Sequence, residues 1–281
     1  MAKHKRGMTQ EKVERWIKEG RGDKDRDEYK PWLTIQDVAS RGRCHRIRGW
    51  KHGRVHHLLS DLEAYVFYTY EWSQEVVEIK EQFPLLPLEE TLAIAEEIGV
   101  RHPVDPITKC PIVMSTDLVL KIKHGLGFDY FARQVKYESS LSDLRTQEKL
   151  ELERRYWIRR DIDYGINTER DVHMPLVYNI KWVHSRFNLA DLSPLTEKTI
   201  GKVAHALTKM VLQEDAPLRK LTSDCDSHIG LMDGDSLKVA RHLIATRYWL
   251  IDMSKRLNLG HRLILLNTPG QRLHEEERLI A

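Results

Sequence analysis

Cysteine is scarce in this chain. Its 281 residues hold three, Cys44, Cys110 and Cys225, far apart and in no CxxC pair. That excludes a disulfide framework or a cysteine-built zinc site as the organising device. No apolar run is long enough to span a bilayer, and the opening MAKHKRGMTQ has none of the apolar stretch of a secretory signal. A cytoplasmic protein with no membrane partner is expected. Internal repeats and low-complexity tracts are absent too, which sets aside solenoids and fibrous assemblies. From residue 41 to 57, RGRCHRIRGWKHGRVHH, there is no acid at all.

What is present is ordinary globular composition, 41% hydrophobic and 31% charged, in a length that suits two modest domains. The net charge of +3 is unevenly spread: residues 1–60 carry sixteen Lys and Arg against eight Asp and Glu. A basic front on a nearly neutral body suits nucleic acid, because neutralising phosphates releases counterions. Arg41, Arg43, Arg46, Arg48, Lys51 and Arg54 are the candidate DNA-backbone contacts. The neighbouring His45, His52, His56 and His57 lack cysteine or carboxylate companions, so a metal site is not expected there.

Pattern divides the chain into a basic arm and lead-in over 1–57, a core over 58–170 and a C-terminal part over 171–281. A short helix is expected at Thr9 to Glu19, and short extended pieces over 32–57. LLSDLEAYVFYTYEW (58–72) reads as an apolar helix capped by Ser60, with Glu63 three residues on as in a capping box. EVVEIKEQF alternates as a strand, PLEETLAIAEEIGVRHP as a short amphipathic helix, and SSLSDLRTQEKLELERRYW as a charged helix with Ser140 and Asp143 in a second capping box. DIDYGIN closes the core as a strand. Beyond a connecting region holding Met174, Pro175, Asn188 and Pro194, three helices are expected near 196–214, 217–231 and 235–247. YWLIDM and RLILLN then read as two short strands, which would complete a winged-helix arrangement.

The chemistry centres on residues 112–136, IVMSTDLVLKIKHGLGFDYFARQVK, two alternating strands around a Gly-rich turn. A four-residue loop, His124 to Gly127, would pair Lys123 with Phe128. Asp117 then falls opposite Gln134, with Lys136 one step along on the same face. A carboxylate, an amide and an ammonium would meet there. Hard divalent cations take oxygen ligands, and a positive charge eases deprotonation of an attacking water.

The spacing D…QxK resembles the PD-(D/E)xK motif of restriction-enzyme-like nucleases. Five collinear stretches resemble the TnsA family, the endonuclease subunits of heteromeric transposases: HHLLSDLE at 56–63, EQFPLLP at 81–87, MSTD at 114–117, QVK at 134–136 and EKLELERRYW at 148–157. The resemblance implies an α/β fold, with a restriction-endonuclease-like PD-(D/E)xK core followed by a mainly α, winged-helix-like domain. It places the chemistry on Glu63, Asp117, Gln134 and Lys136. Glu63 and Asp117 would bind Mg²⁺, with Mn²⁺ able to substitute, and Gln134 would offer a neutral amide oxygen where most relatives have an acid. The Val135 carbonyl is a further candidate ligand. Implied in turn are a bacterial host, cleavage of the 5′ strand at double-stranded transposon ends, a DDE transposase that handles the 3′ strand, and an AAA+ ATPase regulator docking through 171–281. Two other readings stand beside this: a stand-alone PD-(D/E)xK nuclease of restriction or junction-resolving type, and an inert DNA-binding protein on the same fold.

Overall fold

A helix N-terminus leaves backbone N–H groups without partners, and Ser60 meets one of them by accepting from Glu63 N at 3.1 Å. Helix α2 (Asp61–Trp72) starts there. In this computed structural model, which describes residues 7–38 and 42–266, the elements before it are α1 (Gln10–Lys18), β1 (His45–Arg48) and β2 (Val55–Leu58). After it come β3 (Val76–Pro84), α3 (Leu88–Glu97), β4 (Ser115–His124), β5 (Gly127–Val135), α4 (Leu144–Ile158) and β6 (Asp163–Asn167). Strands β1 and β2 form a two-stranded antiparallel ribbon. The other four form one sheet in the order β3-β4-β5-β6, antiparallel until β6 joins parallel to β5. The parallel step needs a crossover, which α4 supplies.

The hairpin takes the expected register, with Lys123 opposite Phe128 and Leu118 opposite Arg133. Its loop is shorter than expected. His124 pairs with Gly127, so only Gly125 and Leu126 turn the chain, Gly125 at φ +56°. Asp143, expected as the closing member of a capping box from Ser140, is itself the N-cap of α4 and accepts from Thr146 N at 2.8 Å.

One apolar cluster joins Val119 and Ala132 of the sheet to Leu85, Ile94 and Ala95 and to Leu152, Tyr156 and Trp157 of α4. A second is built by the lead-in itself. Trp16 and Trp32 meet edge to face at 5.0 Å and pack with Met8, Val13 and Val113. The expected basic arm is thus, from residue 8 onward, partly a packing element.

The chain divides into two compact units, Met1–Val172 and His173–Ala281. In the second, α6 (Glu197–Gln213), α7 (Leu218–Ile229) and α8 (Asp235–Ala245) lie where three helices are expected. The connecting region carries an additional helix, α5 (Met174–His184), with Pro175 in its first turn, where a missing N–H costs nothing. The expected two-stranded wing does not form among the described residues. Asn179 of α5 instead donates to the carbonyls of Met253 and Lys255 and accepts from Leu257 N. Leu259 and His261 give their carbonyls to the first N–H groups of α7. Among the described residues, the backbone bond found between the two segments expected as strands is Leu266 N to Leu250 O at 2.7 Å.

Candidate active site

Four buried side chains converge where the β4–β5 ladder ends: Glu63 from α2, Gln82 from β3, Asp117 from β4 and Gln134 from β5. Beyond the last backbone pair, Leu118 with Arg133, side chains take over. Gln134 Oε1 accepts from Asp117 N at 2.8 Å, and Asp117 Oδ2 accepts from Val135 N at 2.9 Å. Lys136 then brings its Nζ to 3.1 Å from Asp117 Oδ2 and 3.0 Å from the Val135 carbonyl. Sequence spacing leads to Gln134 and Lys136 as neighbours of Asp117, and both lie against it.

Glu63 holds two positions at once. Its carboxylate accepts from Leu59 N at 2.9 Å and from Ser60 Oγ at 3.0 Å, so it completes the start of its own helix. It also faces Asp117 across Gln82, whose Nε2 lies 2.9 Å from Asp117 Oδ1 and 3.4 Å from Glu63 Oε2. Burial, and after it the Asp117 charge, push the Glu63 carboxyl up to about 7. Burial works to lower the Lys136 ammonium, but Asp117, Glu153 and Glu63 outweigh it and leave its pKa above the ordinary value. Lys136 is therefore a cation at neutral pH.

Sequence reasoning missed three residues here. Gln82 sits inside a strand at φ +47°, a conformation rare outside glycine, and no alternation rule signals it. Glu153 of α4, 1% exposed, accepts from Thr116 Oγ1 at 2.6 Å, and the same hydroxyl accepts from Trp157 Nε1 at 2.8 Å. This ties α4 to the residue before Asp117. Burial raises the Glu153 carboxyl to about 8, so it is protonated at neutral pH. Glu81, fully buried, accepts from both terminal nitrogens of Arg54, from His57 N and from His56 Nδ1 at 2.8 Å. Burial works to raise its carboxyl, but His56 and Arg54 hold it well below the usual carboxylate range.

That carboxylate decides what the basic stretch has free. Arg54 is committed to Glu81 and the Ile79 carbonyl, with 7% of its side chain exposed, and so leaves the candidate DNA surface. Lys51 Nζ donates to the Ser73 carbonyl. Arg43, Arg46 and Arg48 are exposed, the latter two on one face of β1 with Ile47 buried on the other. Arg41 lies outside the described residues.

Among the described residues, no group of three or more His, Cys, Asp or Glu is placed to hold a metal ion. Two carboxylates, Glu63 and Asp117, meet here across Gln82. Their donor set is all oxygen, and the Asp117 charge adds to burial in raising the Glu63 carboxyl. Such a site fits a hard divalent cation that keeps several waters or takes further oxygens from a phosphate. Gln134 fits less directly, since its oxygen is already engaged with Asp117 N.

Family models cover both units. The TnsA-like endonuclease N-terminal model matches residues 73–169, and the TnsA endonuclease C-terminal model matches residues 171–253. The chain is also 43% identical over 235 residues to the Transposon Tn7 transposition protein TnsA of Escherichia coli, covering 80% of this chain and 85% of that protein. No helix of the described residues is long and apolar enough to cross a membrane. Matches through both units, rather than the nuclease part alone, favour a transposase subunit over a stand-alone nuclease: this chain belongs to the TnsA family of transposition endonucleases.

Proposed function

We propose that this endonuclease subunit cuts the 5′ strand at transposon ends in a reaction that depends on Mg²⁺, while a DDE transposase cuts and joins the 3′ strand. The observation that carries the reading is the meeting of Glu63, Asp117 and Lys136 at the end of the β4–β5 ladder, bridged by Gln82. Glu63 and Asp117 would hold the cation, with the Val135 carbonyl as a third oxygen. Bound there, Mg²⁺ or Mn²⁺ would supply charge against a scissile phosphate and acidify a water.

The chain's own groups do the rest. Asp117 is fixed by two donors on one oxygen, Val135 N and Lys136 Nζ, so it presents the other toward Glu63 and Gln82. Lys136, one-third exposed, keeps its proton and is available to a phosphate oxygen whose charge grows in the transition state. A lysine held above its ordinary pKa is a poor base, which makes Lys136 an electrostatic stabiliser. Thr116, held by Glu153 and Trp157, keeps the end of β4 in place.

One such centre suits one strand per subunit, so a double-strand break calls for a second catalytic chain. Arg43, Arg46 and Arg48 are the proposed backbone contacts. Residues 171–281, which hold none of the proposed catalytic residues, are proposed to dock the AAA+ regulator. Strand-resolved cleavage of an end-labelled transposon-end duplex in Mg²⁺, with and without the DDE partner, tests the assignment. A 5′-strand cut that needs the partner supports it. Efficient unaided cutting of both strands would replace it with a stand-alone nuclease.

A further inference from the structure

The amide of Gln82 stands between the two carboxylates of the site. Carboxylates only accept hydrogen bonds, so the amide must turn its NH₂ toward Asp117 Oδ1 at 2.9 Å and Glu63 Oε2 at 3.4 Å. Ser115 Oγ enforces the same orientation by donating to Gln82 Oε1 at 2.9 Å. All three of these polar contacts of the amide are thus specified, and the residue is 2% exposed.

The backbone beneath it is held as firmly. Gln82 lies at φ +47° within β3, and the ladder to β4 pairs Glu81 with Leu118 and Phe83 with Thr116 on either side of it. A non-glycine residue in this region is strained and persists only where its surroundings over-determine it. Here the lead-in does so. Trp32 N donates to the Gln82 carbonyl at 3.0 Å, and Gly22 passes so close to β3 that a Cβ there would lie 2.2 Å from Pro84. In a strand of ordinary φ, residue 82 would not present its side chain this way.

We propose that Gln82 is a positioning residue of the metal site: it clamps Glu63 and Asp117 from one side, so that their remaining lone pairs face a common point for a divalent cation. The inference rests on the metal-site reading above. It assigns the N-terminal lead-in a function, since Trp32 and Gly22 hold the strained residue that orients the two ligands. Ser115 acts through Gln82 by fixing which end of the amide faces them. Partners that orient metal ligands typically cost about 10- to 100-fold in metal affinity when removed.

The test is Mn²⁺ binding to the full chain without DNA, followed by calorimetry and by the free-Mn²⁺ electron paramagnetic resonance signal. Thermal melting in EDTA reports folding separately. The expected result is saturable binding by wild type that Asp117→Ala abolishes, and a dissociation constant about tenfold weaker in Gln82→Met. Ser115→Ala should weaken binding less, and the double variant no more than Gln82→Met alone, because the two act in series. A merely structural role would lower the EDTA melting temperature and leave the Mn²⁺ affinity alone. Wild-type affinity in folded Gln82→Met and in Ser115→Ala, with Asp117→Ala inactive in binding, overturns the role of Gln82 and keeps the metal site. Binding that survives Asp117→Ala, or no binding by wild type, overturns both.

Discussion

Lys136 meets Asp117 and the Val135 carbonyl with a charge that the neighbouring carboxylates hold in place. Removing it takes away charge stabilisation without removing either cation ligand. Lys136→Ala is therefore expected to slow single-turnover cleavage by roughly 10²–10³-fold at saturating Mg²⁺ while leaving Mn²⁺ affinity within a few-fold of wild type. Loss of metal binding in parallel with rate would make Lys136 a structural prop. At this scale the sequence was legible where period-2 spacing does the work: Asp117, Gln134 and Lys136 follow from one pairing sum. Glu63 came from the family resemblance, because spacing shows only a cap. Gln82 was hidden, since its importance lies in a positive φ that neighbours far along the chain impose. Arg54 read as free because Glu81, the residue that claims it, is 27 positions away.

Helix α4 acts on the site through a shared hydroxyl rather than by touching it. Glu153 is buried where α4 is bonded to Thr116 of β4, and its pKa of about 8 lies above the ordinary 4.5 of a free glutamate. A carboxyl raised on folding contributes stability that is full below pH 4.5 and is lost as pH climbs through about 8. Urea midpoints should fall between pH 6 and pH 8.5 in EDTA. Glu153→Gln, which mimics the protonated acid, should make that fall shallower and leave the share that comes from Glu63, whose carboxyl is raised to about 7; an identical decline in the variant would show that Glu153 carries none of it. Element by element, the helices and strands of the N-terminal unit were legible from capping residues and periodicity. The wing was not: YWLIDM and RLILLN have the composition of strands, but Asn179 and the α7 N-terminus take the backbone groups of the segment between them. Propensity cannot see a competitor for hydrogen bonds.

For the whole molecule, charge placement separates the proposed DNA contacts from scaffolding. Arg46 and Arg48 are exposed on one face of β1, whereas Arg54 neutralises a fully buried carboxylate. Arg46→Ala and Arg48→Ala are expected to reduce the slope of log affinity against log salt by about one each, at little cost in stability. Arg54→Ala should do the reverse. It would leave Glu81 buried and short of a partner, lowering stability by about 3–5 kcal/mol with the salt slope unchanged in whatever folds. A common salt effect of all three would restore Arg54 to the DNA surface. The basic front of the chain is thus partly an adhesive for its own core, a division that composition alone does not reveal.

The central claim is that Glu63 and Asp117 form the cutting centre, and the most direct measurement is single-turnover cleavage of a 5′-labelled transposon-end duplex by wild type, Glu63→Ala and Asp117→Ala, each in Mg²⁺ with the transposase partner present. Both variants should lose the 5′-strand cut by at least about 10³-fold, as expected when a cation ligand and the charge stabilisation it supports are removed, while the partner's 3′-strand cut persists. A 5′-strand cut of wild-type rate in either variant would contradict the assignment and move the chemistry elsewhere on the chain.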